Sequence, residues 1–343
     1  MLMMTGPNMR PEELFTVTLR SDEFIDAIAA QPQACEGGGP SVLAVACSAL
    51  ESNQWGGSVS ILDGATGQRL CGSQLNAGVS AIAWVGDEHD LLAFGCDSGD
   101  VQLVRLTTDV DVALVPVGAS DANGGITPGH DDVVTSVAAS AVEKNVFATC
   151  SWDRSVKLWD ISTMDKPLQA LEGHADLIWD IAMHPMTAHV FATASQDATV
   201  QLWDDRNAVQ TNGSTLSTLG HSAFTLDWHP QQAHQLAVGL ENGTVLIFDT
   251  RAPEKPLNTL TVGDGVVHRI KYSHFHADVL AVGDDDAHVS IITDSASPST
   301  CVQTLTTASG HVHSDYVRAL EWSSASVLTT GSWDHTVRSW KLP

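Results

Sequence analysis

Three sets of side chains in this sequence have the makings of a catalytic site. His130, Thr149 and Asp153 form one, His174, Thr193 and Asp197 a second, and His313, Thr330 and Asp334 a third. A hydroxyl, an imidazole and a carboxylate held together can make an activated nucleophile. Each set, however, is completed by a tryptophan six residues after the aspartate: Trp159, Trp203 and Trp340. A nucleophile is needed once. A polar set that recurs three times, each time with a tryptophan, reads as a structural device.

Other candidates for chemistry are weaker. His274-Phe275-His276 and His311-Val312-His313 have the His-x-His spacing of a metal site, but no cysteine or carboxylate stands at ligand spacing beside either pair. Gly37-Gly38-Gly39 is followed by neither Lys-Ser/Thr nor a helical pattern, so it reads as a turn and not a phosphate cradle. There is no nucleophile elbow, dinucleotide fingerprint or kinase signature. The expectation is a protein without catalytic residues, metal or cofactor.

The elements that must position these residues come from a repeat. Thr149 to Asp160, Thr193 to Asp204 and Thr330 to Trp340 are near copies of one another. Weaker copies run through Asp97-Ser98-Gly99-Asp100-Val101, Glu241-Asn242-Gly243-Thr244-Val245, Asp286-Ala287-His288-Val289 and Trp55-Gly56-Gly57-Ser58-Val59. Aligned on valines 59, 101, 156, 200, 245, 289 and 337, the spacings are 42, 55, 44, 45, 44 and 48, which makes seven units. Within a unit an alternating strand (Ile178 to Met183) precedes a continuous apolar strand (Val190 to Ala194). A tight polar turn and another alternating strand (Thr199 to Trp203) follow.

Period and terminal Trp-Asp resemble WD repeats, which implies an all-β, seven-bladed propeller spanning 1–343 as a single domain. The last repeat leaves no fourth strand, so residues 13–20, with the alternating run Leu14 to Arg20, are expected to close the last blade. The spacing of 55 marks a loop at 107–129, expected between blades two and three. The resemblance implies that each His/Thr/Asp/Trp set is a buried relay from indole to hydroxyl to imidazole to carboxylate. In blade five Ala237 and Ile247 are read as standing where the threonine and tryptophan would be, and the four blades without the set are expected to open more easily.

Two groups of residues point to partners. Aligning the first strands on Trp84, Met183, Trp228 and Tyr272 brings Ser80, Thr135, Trp179, Phe224, His268 and Arg318 to one level near the central channel. Aromatics and arginine there suit an interface, or Trp179 and Phe224 simply pack on adjacent loops. Trp55, with Gly56 and Gly57, lies in a polar, glycine-bearing segment read as a turn. It is either folded over its own blade or offered to a partner, and the second is favoured.

Charge narrows the partner class. Lys and Arg number 16 against 41 Asp and Glu, a net charge of −25. Such a chain repels nucleic-acid phosphates and anionic lipid and attracts basic proteins; the charge also serves solubility. No apolar run approaches a membrane span and the start is not a secretory signal. Cys35, Cys47, Cys71, Cys96, Cys150 and Cys301 are scattered, as free thiols in a reducing compartment would be, so a cytoplasmic and nuclear location is expected.

Four segments resemble a narrower family. Ala77 to Gly86 with Asp97-Ser98-Gly99, Trp228 to Gln232 with Glu241 to Val245, and His313 to Arg318 with Trp333-Asp334-His335 are similar to WD-repeat subunits of the methylosome. Trp55-Gly56-Gly57-Ser58 resembles that family's Trp-x-Gly-Ser segment, whose tryptophan docks on the methyltransferase. The resemblance implies a non-catalytic adaptor that binds and stabilises a type II protein arginine methyltransferase. It would present Arg-rich substrates such as histone tails and Sm proteins. A competing reading is a general scaffold or peptide receptor, such as a peroxisomal targeting-signal receptor.

Overall fold

The computed structural model describes residues 8–19, 23–32, 42–51, 54–108, 112–117, 127–206, 213–276, 278–293, 295–297, 300–307 and 310–342. Cys35, Gly37 to Gly39, Arg20, Asn53 and parts of the 107–129 loop lie outside them.

The strands form seven sheets, each with an antiparallel body of consecutive strands in chain order, so the fold is a seven-bladed β-propeller. The first strands of the blades are Glu23–Ala30, Val79–Val85, Val134–Ala139, Ile178–Met183, Ala223–Trp228, Val267–Tyr272 and Val317–Ser324. Each touches the first strand of the next blade, and the last touches the first, so these seven line the central channel. Second strands, such as Leu91–Cys96 and Gln235–Leu240, are buried along their whole length. A neighbouring blade covers each face, which is why they read as apolar runs without alternation.

Closure uses the N-terminal segment twice. Glu12–Thr18 pairs antiparallel with Thr336–Lys341 as the outer strand of blade seven. Just before it, Asn8–Met9 pairs in parallel with Cys301–Thr307 at the edge of blade six, and Met9 is buried. One segment thus clamps two blades. The 107–129 segment belongs partly to blade two: Ala113–Pro116 and Thr127–Pro128 both pair with Asp100–Thr107. It splits the outer strand of that blade as well as linking blades two and three.

All seven first strands carry a β-bulge at their N-terminal end, at Asp26, Ser80, Thr135, Trp179, Phe224, His268 and Arg318. A bulge re-aims one side chain out of the ladder. Repeated seven times, it builds a ring at one channel mouth.

Polar bonds link adjacent blades. Indole N–H groups of Trp84, Trp228 and Trp322 donate to the carbonyls of Ala29, Ala182 and Lys271, each at 3.1 Å. Asp180 accepts from Thr225 Oγ1 (2.9 Å), Leu226 N (3.1 Å) and Arg269 (3.2 Å), tying blades four, five and six.

Candidate functional site

The three polar sets form complete relays. In blade three Trp159 Nε1 donates to Thr149 Oγ1 (2.9 Å), Thr149 Oγ1 lies 2.7 Å from His130 Nε2, and His130 Nδ1 lies 2.9 Å from Asp153. Blade four repeats this with Trp203, Thr193, His174 and Asp197 at 2.8, 2.7 and 2.8 Å. Blade seven does so with Trp340, Thr330, His313 and Asp334 at 3.0, 2.7 and 2.9 Å. With Nδ1–H donating to aspartate, Nε2 accepts the threonine proton while the threonine oxygen accepts from the indole. The hydroxyls are fully buried and fully engaged, so no substrate carbonyl can reach them. Burial raises the Asp153, Asp197 and Asp334 carboxyls, but histidine, hydroxyl and backbone donors outweigh it and hold all three well below the usual range. The geometry is that of a structural relay and carries no hydrolytic chemistry.

The channel mouth is organised differently. Ser80 donates across to the Val134 carbonyl and Thr135 to that of Ile178 (2.7 Å), so these two ring positions latch neighbouring blades. Trp179 and Phe224 stack with centroids 4.6 Å apart, and both are half-buried. Trp152 meets Trp179 edge-on at 5.4 Å, and His268 meets Phe224 at 6.1 Å. The chain of rings continues through Tyr316, Trp333 and Phe24 at 5.9, 5.5 and 5.4 Å. Trp179 and Phe224 therefore both pack on neighbours and form part of an aromatic belt. Burial lowers the His268 pKa although Asp285 pairs with it, so the ring is neutral near pH 7.

Arg318 lies over Trp333, 5.3 Å from the ring centre, and electrostatically near Asp26, Asp285 and Asp97. Asp26 is the seventh ring position, absent from the sequence alignment. Its signal was present in Ile25-Asp26-Ala27-Ile28-Ala29, which aligns with Ile178 to Ala182 and places Asp26 opposite Trp179. The Asp26 carboxylate accepts from Ser48 N, Ser48 Oγ (2.5 Å) and Trp333 Nε1 (3.1 Å).

Trp55 lies within a strand and not on a turn. Val42–Glu51 and Gln54–Asp63 form a hairpin of ten-residue strands, against six in the corresponding strands of blades three to five. The extra length carries Trp55 past the core, paired with Leu50. Both side chains are exposed, at 57% and 46%. The glycines serve the layer beneath. Gly57 is buried, and a Cβ there would stand 2.5 to 2.8 Å from Cys47 O, Ala77 O and Gly78 Cα; one at Gly56 would stand 3.3 Å from Leu75 O. Gly57 is thus a close-packing residue, while the exposed surface belongs to Trp55 and Leu50. Because Ala49 pairs with Glu23 at the start of the first strand, this tip lies at the same end of the channel as the aromatic belt.

At the other end the channel widens into a cavity of about 550 Å³, walled by Trp84, Trp228 and Trp322 and holding Asp227, Lys271 and Glu321. Among the described residues one group has metal-ligand proximity: Asp284, Asp286 and His288. Neither His-x-His pair belongs to it. Asp284 already accepts from His288 N (2.9 Å) and Nδ1 (3.2 Å), which makes it the cap of its own turn. The described cysteines are free thiols, three of them buried, and burial pushes Cys96 up to about 12.

Seven sheets round a channel, three of them with complete Trp–Thr–His–Asp relays, give a seven-bladed β-propeller of the WD-repeat kind. The chain matches the family model described as WD domain, G-beta repeat over residues 124–160, 165–204 and 299–341, which are the three relay blades. It is similar to the methylosome protein WDR77 of Xenopus laevis, with 27% identity over 310 residues covering 88% of this chain and 86% of the relative. That similarity agrees with the methylosome resemblance carried by blades one, two, five and seven. Fold and relative together agree with a scaffold.

Proposed function

We propose that this chain is the non-catalytic adaptor of a type II protein arginine methyltransferase. It docks the enzyme through the blade-one hairpin and holds basic, Arg-rich protein substrates such as histone tails and Sm proteins beside it. The observation that carries this reading is Trp55, a large aromatic exposed at 57% and seated with Leu50 on a projecting two-stranded finger. An indole held clear of its own core with an apolar neighbour is the usual anchor of a protein interface. The similarity to a methylosome protein supports a partner from that complex. The charge of −25 suits cationic substrates, whose approach it steers. Free, partly buried thiols suit the reducing cytoplasm and nucleus in which such substrates are handled.

The test is capture of the purified methyltransferase by the full chain. Trp55→Ala is expected to weaken capture at least roughly tenfold, while stability moves by no more than about 0.5 kcal/mol, as for other exposed sites. Full capture by the variant would remove the hairpin from the interface, and no capture by the wild type would remove the adaptor reading.

A further inference from the structure

Two groups at the belt end of the channel have unspent bonding capacity. The half-buried Arg318 guanidinium makes no hydrogen bond among the described residues; its partners are the Trp333 face and the fields of Asp26, Asp285 and Asp97. The Asp97 carboxylate likewise accepts no hydrogen bond among the described residues. It is held in place because Gly78 lacks a side chain: a Cβ there would lie 2.0 Å from Asp97 Oδ2. Nearby, Arg269 pairs with Asp180, and Asp285 meets the neutral His268 ring. Arg318 thus stands among three carboxyls, Asp26, Asp97 and Asp285, so acidic groups outnumber basic ones at this mouth.

We propose that the mouth binds an arginine-bearing peptide segment, with the ligand guanidinium on Asp97 against the aromatic belt and Arg318 donating to the peptide's main-chain carbonyls. A planar guanidinium matches a carboxylate through two parallel N–H groups and stacks on aromatic faces, which an ammonium does not do. Tyr316, 38% exposed, is the most open ring of the belt's Trp333 side. Main-chain carbonyls satisfy Arg318 without adding charge. The inference deepens the substrate half of the adaptor reading and rests on it for the identity of the natural ligand.

The experiment uses the full chain and two short probes, alternating glycine–arginine and glycine–lysine, with binding read by fluorescence anisotropy at low salt. The arginine probe is expected to bind roughly tenfold tighter than the lysine probe, and Asp97→Asn to weaken it roughly tenfold, as loss of one charged hydrogen bond predicts. Tyr316→Ala is a second variant and should also weaken it. Glu88→Gln, which removes an exposed carboxylate elsewhere, should leave binding unchanged. Equal binding of the two probes, unchanged binding by a folded Asp97→Asn chain, or an equal loss in Glu88→Gln would each overturn the proposal. Trp55→Ala should bind the probe normally. Loss of methyltransferase capture with retained probe binding, or the reverse, therefore separates failure of one reading from failure of the other.

Discussion

Blades three, four and seven solve the same packing problem as blades one, two, five and six with opposite chemistry. In the first group a buried threonine faces a buried tryptophan, and a histidine and an aspartate complete the chain of bonds. Strand register identifies the equivalent positions elsewhere as Val45 and Leu62, Phe94 and Val104, Val238 and Phe248, and Val282 and Ile292. All eight are buried and apolar. Among the described residues there is no half-built relay, with a threonine but no indole or an indole but no hydroxyl. A satisfied network is stable and so is an apolar pair, whereas a partial network leaves buried donors without acceptors. The comparison teaches that these blades switch between the two solutions as units.

The largest effect should come from forcing a blade between the two states. Thr193→Val leaves the Trp203 indole and the His174 Nε2 without a partner, at about 1–3 kcal/mol for each group. A total loss of roughly 2–6 kcal/mol is expected from the urea midpoint. The triple change Thr193→Val, Trp203→Phe, His174→Leu, which adopts the valine and phenylalanine of blade five and removes the histidine left without a partner, should recover most of it. Val238→Thr in blade five should cost about 1–3 kcal/mol by burying a lone hydroxyl. If the single change in blade four cost no more than the triple, the relay would not be acting as a unit.

The same contrast shows what the sequence could and could not reveal. The relay blades announce themselves because four residue types recur at fixed spacing, and these are the blades the family model matches. The apolar blades carry only hydrophobicity, and one-residue errors then go unnoticed. By apolar pattern alone Ala237 and Ile247 align with the relay threonine and tryptophan. The pairing Leu236 to Phe248 parallels Phe147 to Trp159 and places Val238 and Phe248 there instead. A slip of one residue moves every side chain to the other face of a strand. At Trp55 the pair Gly56-Gly57 imitates a turn, and the extension of the hairpin emerges only from the register of both strands. Asn8–Met9 is too short to show any period. The aromatic belt was half legible: alternation found six ring positions, but which rings touch depends on inter-blade geometry that no local pattern encodes.

A second test asks whether the two solutions are equally firm. Amide exchange in Val146–Ser151 and Val190–Ser195 is expected to be roughly tenfold slower than in Gln235–Leu240 and Val279–Asp284, equivalent to about 1.4 kcal/mol. The relay pins the second strand to the turn and to the third strand of its own blade, while the apolar blades lean on their neighbours. Asp227 accepts from Tyr272 N at 2.7 Å, His229 meets Asp278 at 2.9 Å, and Gln235 donates to Tyr272 Oη at 3.0 Å. Equal protection would mean that these links between blades five and six replace the relay fully.

The smallest effect, and the one with the sharpest signature, is in pH. Burial holds the His313 pKa below the ordinary imidazole value despite its bond to Asp334. The unfolded chain takes up this proton at about 6.5. Stability from the neutral imidazole is therefore complete above that pH and declines as pH falls below it. Asp334, held low, adds stability that is lost only as pH falls through the ordinary carboxylate range and beyond. Asp97 acts with the opposite sign. Burial, then the neighbouring Asp26 charge, push it up to about 6 in the folded protein, so protonation between about 6 and 4 favours the native state. The wild-type melting temperature should thus fall only slightly between pH 7 and 5, by roughly a few degrees. Converting blade seven to the apolar solution (Thr330→Val, Trp340→Phe, His313→Leu) should flatten that fall, and Asp97→Asn should steepen it. The threonine and tryptophan positions of the apolar blades hold nothing that titrates, so an unchanged slope in the blade-seven variant would place the acid sensitivity outside the relays.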